Sequence, residues 1–295
     1  MNELSIDPSP SSVTLQAYYR ARDYVAVPAF LGGTIHGALG HALESLRASH
    51  ILMAPEPPSE APGFVRAGPP PPVVTIPPPI AAPRELAPGE SLEFGLLAIA
   101  PDAARIGALL AALEAMGRRG LGRGRGRLEL IRVGDSHDRT VWRDGNVVSE
   151  PAPDEDLTAR GTGPWTLRTR TPLHLVREGK LVTRPTASDV ARAAARRLVS
   201  LAWTYGGFAT MDLRVCDRAT SEHLTAASDC DWQVVRGERW SERQGRHHPM
   251  EGVLGSMHLG AGFEPYLPWL GRSLRFGLGK GAGLGLGRLE LVLRS

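Results

Sequence analysis

The first half of the chain alternates between strand-like and helix-like patterns of apolar residues. Apolar positions recur in strand fashion over residues 12–19 and 91–99, which predicts two strands. Residues 34–49 and 102–116 carry them at helical spacing instead, and Thr34 is the predicted N-cap of the first helix. With a short edge strand at 73–76 and a strand from 128, the order is strand, helix, strand, strand, helix, strand, as in a ferredoxin-like unit.

The second half repeats this order with an inserted hairpin. A helix over 189–203 follows Thr186 or Ser188, either of which can cap it. A short helix is predicted over 263–270, and the predicted strands cover 165–176, 211–215, 232–235, 253–259 and the chain's end. We therefore predict an α+β fold of two tandem ferredoxin-like (RRM-like) domains, at 1–135 and 164–295, joined by a polar linker at 136–163.

The segment at 55–88 contains thirteen of the 25 prolines, including the run from Pro69 to Pro72. Proline lacks the backbone N–H that a helix needs, so this segment is not helical. A stiff extended connection is the favoured interpretation, with a proline-rich ligand for a partner domain as the alternative.

A glycine-rich run lies near the C-terminal end of the chain. Glycine occupies every second position from Gly277 to Gly287, and Lys280 and Arg288 are the cations within and after the run. Bare backbone beside cations suits a phosphate chain. The spacing fits neither the Walker motif nor the dinucleotide fingerprint, and a glycine-rich hairpin packed against a helix is an equally good interpretation.

The composition is that of a globular protein, with 42% hydrophobic and 22% charged residues over 295 positions. The net charge is only +3, but arginine outnumbers lysine and is clustered, which favours phosphate-bearing partners. Cys216 and Cys230 have no metal-ligand spacing, so no metal and no cofactor are expected. No apolar run has transmembrane length and the start does not resemble a signal peptide, so we expect a cytoplasmic protein with no membrane partner.

Seven segments in order along nearly the whole chain resemble one known superfamily. They are residues 37–43, 116–130, 171–175, 241–244, 250–255, 263–268 and 276–291. This order resembles the RAMP superfamily of CRISPR systems, and within it the endoribonucleases that process precursor crRNA. The resemblance implies metal-independent cleavage of CRISPR repeat RNA, in which the 2′-hydroxyl attacks the adjacent phosphate and leaves a 2′,3′-cyclic phosphate.

The resemblance also implies catalytic histidines on the first helix. His36 matches the first family position and His50 approximates the second, with His41 as a nearby candidate. Histidine suits either proton transfer because its unperturbed pKa lies near neutrality. The alternative is that these are polar surface histidines, and no lysine on this helix completes a His–Lys pair.

The predicted RNA contacts come mainly from the glycine- and arginine-rich segments. In the terminal loop they are Lys280, Arg288, Gly279, Gly281 and Gly283. Arg123, Arg125 and Arg127 would share one face if their stretch is extended, although a solvated charged rim is the alternative. Arg243 and Gln244 contact RNA or order a loop. Arg192, Arg196 and Arg197 are interpreted as the charged outer face of a helix, with contact to the phosphates of an RNA hairpin stem as the alternative.

Three functions follow as hypotheses. The first is the endoribonuclease, with CRISPR repeat RNA or crRNA as its partner and other CRISPR effector subunits as further partners. The second is a catalytically inactive RNA-binding subunit on the same fold, because fold alone does not fix function. The third is a glycine-rich small-ligand enzyme or partner-binding domain, which predicts no RNA affinity.

Overall fold

The computed structural model describes residues 10–122, 124–155, 164–206, 230–241 and 246–293. The helices of the first half are α1 (Gly32–Ser45), α2 (Gly63–Ala67) and α3 (Ala103–Arg119), with a 3-10 turn at Ser49–Leu52. The short helix α2 contradicts the expectation that residues 55–88 contain no helix, because none of its five residues is a proline. Its strands are β1 (Ser12–Ala21), β2 (Val25–Val27), β3 (Val73–Ile76), β4 (Arg84–Leu86), β5 (Ser91–Ile99), β6 (Leu128–Gly134), β7 (Thr140–Arg143) and β8 (Asn146–Val147).

The first half forms an antiparallel sheet in the order β3-β5-β1-β6-β7-β8. In β1, alternate residues from Val13 to Ala21 are buried, and they join Leu39 of α1 and Leu113 of α3 in one hydrophobic core. The order β3-β5-β1-β6 is that of a ferredoxin-like sheet. This sheet continues through β7 and β8, beyond residue 135, where the first predicted domain ends.

The second half forms a four-stranded antiparallel sheet in the order β12-β13-β9-β14. The helices are α4 (Ala187–Tyr205) and α5 (Leu267–Leu274), with 3-10 turns at Ala261–Tyr266 and Ala282–Leu284. The strands are β9 (Trp165–Thr169), β10 (Val176–Arg177), β11 (Lys180–Leu181), β12 (Cys230–Ser241), β13 (Arg246–Leu259) and β14 (Leu289–Leu293). Two ferredoxin-like sheets in one chain confirm the predicted fold class.

The starts of the helices were predicted with mixed success. The Asp102 carboxylate accepts a hydrogen bond from the Arg105 N–H at 2.7 Å and caps α3. Thr186 caps α4 in a reciprocal capping box. The prediction of Thr34 as a cap is wrong, because α1 already begins at Gly32, without a side-chain cap, and ends at Ser45 instead of residue 49.

Strand lengths in the second half differ from the predictions. β9 ends at Thr169, and Val176 belongs to the small hairpin of β10 and β11. β12 and β13 are longer than predicted and pair from Cys230 opposite Met257 to Ser241 opposite Arg246. The strand predicted at 211–215 lies outside the described residues.

A third apolar cluster joins the two halves. Val74 of β3 and Leu97 and Ile99 of β5 pack against Leu201 of α4 and Phe276, and all five are at most 1% exposed. The two sheets are thus held together by close packing and not merely connected by a tether. Among the described helices, none has both the length and the apolar composition needed to cross a bilayer.

Candidate functional site

The glycine-rich run folds into a compact loop with a 3-10 turn at Ala282–Leu284 and not into a pair of strands. Gly277, Gly279, Gly281, Gly285 and Gly287 all have φ between 68° and 84°, a region that favours glycine. The two ends of the loop meet where the Leu278 N–H donates to the Gly287 carbonyl at 2.9 Å. A Cβ at Gly287 would lie 1.8 Å from the Leu278 oxygen, so this closure requires glycine.

The loop packs between α1 and the edge strand β3. A Cβ at Gly32, the first residue of α1, would lie 2.0 Å from the Leu284 carbonyl oxygen. On the other side, a Cβ at Gly285 would lie 2.8 Å from the Thr75 carbonyl oxygen of β3. The loop of the second half therefore covers an edge of the first sheet, which would otherwise expose unpaired backbone groups.

A groove of about 380 Å³ opens between this loop and the proline-rich segment. It is lined by His36 of α1, Arg197 of α4, Gly68, Pro69, Pro70 and Pro71, and the loop residues Gly279, Lys280, Gly281, Ala282, Gly283 and Leu284. Side chains from both halves thus contribute to one concave site, and imidazole, guanidinium and ammonium groups are all present.

Arg197 of α4 holds the glycine loop through two hydrogen bonds. Its Nε donates to the Gly277 carbonyl at 2.8 Å and its Nη2 donates to the Gly279 carbonyl at 2.9 Å. Burial of the guanidinium lowers the pKa of Arg197 to about 10, so the group is still a cation at neutral pH. Fixed in this way, the arginine sets the position of the residues on either side of Gly279, including Lys280.

Lys280 and the proline wall are anchored through their backbones. The Lys280 N–H donates to the His174 carbonyl at 2.9 Å, while its side chain is exposed. Across the groove, the Tyr205 hydroxyl donates to the Pro70 carbonyl at 2.7 Å, and burial raises the pKa of Tyr205. Both walls are therefore bonded to residues of the second half. The Lys280 bond uses only its backbone, so its exposed ammonium group can contact a ligand.

The three candidate histidines are not equivalent. His36 is half-buried and lines the groove. The groove lining does not include His41, which is five residues further along α1 and whose Nδ1 lies 3.7 Å from a Glu44 carboxylate oxygen. His50 is exposed in the 3-10 turn after α1, also outside the lining. The structure brings one histidine, not three, to the groove.

Two family models match successive parts of the sequence. Residues 11–154 match the AF_1859_N model, described as an N-terminal domain. Residues 167–289 match the model for the CRISPR-associated endoribonuclease Cas6. The C-terminal part of the chain is therefore similar to the Cas6 endoribonucleases. A search of the curated proteins found no match.

Solved structures share this Cas6-like fold at low sequence identity. A chain of a partial Cas6-RT-Cas1–Cas2 complex is 11% identical with a TM-score of 0.63, and the match covers 98% of this chain but 47% of that one. A Thermus thermophilus Cas6 is 13% identical with a TM-score of 0.54, over 97% of this chain and all of the relative. A Cas6 product complex is 16% identical with the same TM-score, covering 96% of this chain and 100% of that one. At these identities the matches show a shared fold.

Several RNA contacts predicted for this Cas6-like chain lie away from the groove. The stretch before β6 is not extended, because the Arg125 N–H donates to the Gly122 carbonyl at 3.1 Å in a tight turn. Arg127 forms an ion pair with Asp23 at 2.7 Å. Arg123, Arg243 and Gln244 lie outside the described residues.

Arg288 also has a different environment from the one expected. It is half-buried, its guanidinium donates to the Arg275 carbonyl, and burial lowers its pKa to about 10. Its backbone N–H is also used within the protein, since it donates to the Thr171 hydroxyl at 2.9 Å. Arg288 therefore fixes the end of the glycine loop and does not line the groove.

Arg197 is the groove residue whose position sequence reasoning missed. It was interpreted as part of an exposed helix face with Arg192 and Arg196, but it lines the groove and holds the loop. A signal was present, since Arg197 lies three residues after the buried Ala194 and four before the buried Leu201. That spacing puts it at the edge of the apolar stripe and not opposite to it. Within the described ranges, no three His, Cys, Asp or Glu side chains lie close enough together to hold a metal ion.

Proposed function

We propose that this chain is an endoribonuclease that cleaves CRISPR repeat RNA without a metal ion. The observation that carries the proposal is the groove, where His36 lies with Lys280 and the glycine loop in a Cas6-like fold. The partner is the repeat RNA or the crRNA made from it, and the proposed location is the cytoplasm. Assembly with other Cas proteins is also proposed, because a structurally similar chain comes from a Cas6-RT-Cas1–Cas2 complex.

The proposed chemistry uses a nucleophile that the RNA itself supplies. The 2′-hydroxyl attacks the adjacent phosphorus, the bond to the 5′-oxygen breaks, and the products carry a 2′,3′-cyclic phosphate and a 5′-hydroxyl. His36 is assigned one of the two proton transfers, either from the 2′-hydroxyl or to the leaving 5′-oxygen. His41 and His50 lie outside the groove, so the proposal assigns them no proton transfer.

The glycine loop and Lys280 are assigned to the phosphate backbone. Negative charge accumulates on the phosphate oxygens as the 2′-oxygen attacks, and a nearby ammonium group stabilises that charge. Gly279, Gly281 and Gly283 keep side chains away from the groove, so RNA can approach the loop backbone closely.

The test is cleavage of end-labelled repeat RNA, taken from the CRISPR array of the same genome, in the presence of EDTA. We expect a single cut by the wild type, no cut of RNA carrying a 2′-deoxy sugar at that site, and a rate about 10²- to 10⁴-fold lower for His36→Ala. His41→Ala and His50→Ala are matched controls and should retain the rate. Full activity of His36→Ala would refute the assignment of His36.

The second candidate function is an inactive RNA-binding subunit. It is favoured by the groove lining, which among the described residues contains one histidine and no carboxylate as a second proton carrier. Tight binding without cleavage by the wild type would support this alternative. Absence of binding at any salt concentration would contradict both RNA functions and favour a small-ligand or partner-binding domain.

A further inference from the structure

Arg197 is a part-buried cation without a carboxylate partner in the described part of the chain. Its two hydrogen bonds go to the carbonyl groups of Gly277 and Gly279, which are neutral. None of the ion pairs found among the described residues includes it. Its neighbour Arg196 is exposed and lies 4.5 Å over the Phe64 ring, so the two arginines have opposite environments on one helix.

Keeping such a charge away from water is costly. A guanidinium loses hydration on burial, and two carbonyl groups restore only part of it. The lowered pKa of Arg197, to about 10, reports the same cost. An anion that enters the groove offsets the cost, because a carboxylate or a phosphate is the natural partner of a guanidinium. Among these, phosphate fits a groove that Lys280 also lines.

The two carbonyl bonds leave part of the donor capacity of Arg197 unused. A guanidinium has five N–H donors in a planar fork, and the bonds from Nε and Nη2 use two of them. No hydrogen bond from Nη1 is found within the described ranges of the chain. Since Arg197 lines the groove, these remaining donors can reach a ligand there.

We infer that Arg197 is a phosphate-binding residue of the groove, contacting a phosphate of the RNA strand that lies between the glycine loop and the proline-rich segment. This inference rests on the proposed RNA substrate but not on cleavage. Arg197 thus has two tasks, because the carbonyl bonds that position the glycine loop also hold the guanidinium in place. Lys280 is the exposed cation of the pair, and Arg197 is the one held by hydrogen bonds.

The experiment measures binding of 2′-deoxy-substituted repeat RNA, which cannot be cut, as a function of salt concentration. Each phosphate contact to a single strand contributes about 0.7 to the slope of log affinity against log salt. We expect Arg197→Gln to weaken binding about tenfold and to reduce the slope by about 0.7. Arg196→Gln is the matched control and should change the slope less. Arg197→Lys keeps the charge and should keep the wild-type slope.

The outcomes separate this inference from the endoribonuclease. An unchanged slope in an Arg197→Gln protein that is folded by circular dichroism would overturn the phosphate role and leave a loop clamp. A lower melting temperature in both Arg197 variants, with salt slopes equal to that of the wild type, would also show that Arg197 only stabilises the loop. Binding with the expected slope change but no cleavage by the wild type would refute the nuclease and support this inference. No RNA binding by the wild type would overturn both.

Discussion

Gly32 shows how one missing side chain allows a helix and a loop to meet. It begins α1, and the Leu284 carbonyl oxygen lies where its Cβ would be. Backbone cannot shift as easily as the end of a flexible side chain, so alanine at this position must displace either the helix start or the glycine loop. Gly37, in the interior of the same helix, has nothing within 4 Å of its missing Cβ.

The two glycines therefore give opposite predictions. Gly37→Ala should raise the free energy of unfolding by about 0.5–1 kcal/mol, because alanine is the better helix former and meets no clash. Gly32→Ala has the same gain in helix propensity but should lower the stability through the contact with Leu284. Urea denaturation of both variants measures this. A gain in stability for both would show that the loop does not pack on the helix start as described.

The candidate residues were predictable only where a local pattern carried the information. The family resemblance implied a catalytic histidine on the first predicted helix. His36 was selected because it occupies that position, and it lines the groove. Arg197 could not be assigned to the groove from sequence, because its acceptors at Gly277 and Gly279 are eighty residues away along the chain. A separation of 135 residues likewise hid the role of the proline-rich segment, whose Pro70 carbonyl accepts a hydrogen bond from the Tyr205 hydroxyl.

At the scale of elements, strands in which apolar and polar residues alternate were predicted accurately, whereas strands with polar stretches were predicted too short. The strand predicted over 91–99 is β5, residue for residue. β12 and β13 were predicted too short because the parts that were missed, residues 236–241 and 246–252, are mostly polar or charged, so no apolar alternation marks them in the sequence. The apolar spacing predicted α1 itself, but its start was placed at a side-chain cap on Thr34, whereas no side chain caps its start and the glycine loop packs against its first residue.

The turn between β6 and β7 is stabilised by a buried carboxylate that predicts a pH dependence. Burial alone would raise the pKa of Asp135, but backbone N–H groups of Ala152, Arg139 and His137 and the Arg139 guanidinium lower it to about 2. The folded pKa is thus below the unfolded value of about 3.9. The stabilisation, up to about 2 kcal/mol, is present above about pH 4 and is lost as the pH falls towards 2.

Acid titration of the stability checks this turn. Wild type should lose unfolding free energy between about pH 4 and pH 2, whereas Asp135→Asn should be less stable at pH 7 and vary less over that range. Asp138→Asn is the control, because Asp138 is in the same turn but 71% exposed, and its ion pair with Arg132 should contribute little. An equal pH dependence in wild type and Asp135→Asn would contradict the assignment.

At the scale of the whole molecule, the two halves are coupled beside the groove. Leu201 and Phe276 of the second half pack on Val74 of β3, and Phe276 directly precedes the glycine loop. The loop then covers the same strand, where a Cβ at Gly285 would lie 2.8 Å from the Thr75 oxygen. Since His36 belongs to the first half and Lys280 to the second, the groove exists only while this contact holds.

Removal of one interface side chain should therefore affect both halves. Phe276→Ala should cost about 3–5 kcal/mol and increase hydrogen exchange both in β3 and in the glycine loop, because the two segments lose their common packing partner. Phe263→Ala is the matched control, since Phe263 is equally buried at 1% exposure but belongs to the core of the second half alone. It should destabilise that core while leaving exchange in β3 close to that of the wild type. Unchanged exchange of Val73–Ile76 in Phe276→Ala would mean that the halves fold independently and that the groove is held by the glycine loop alone.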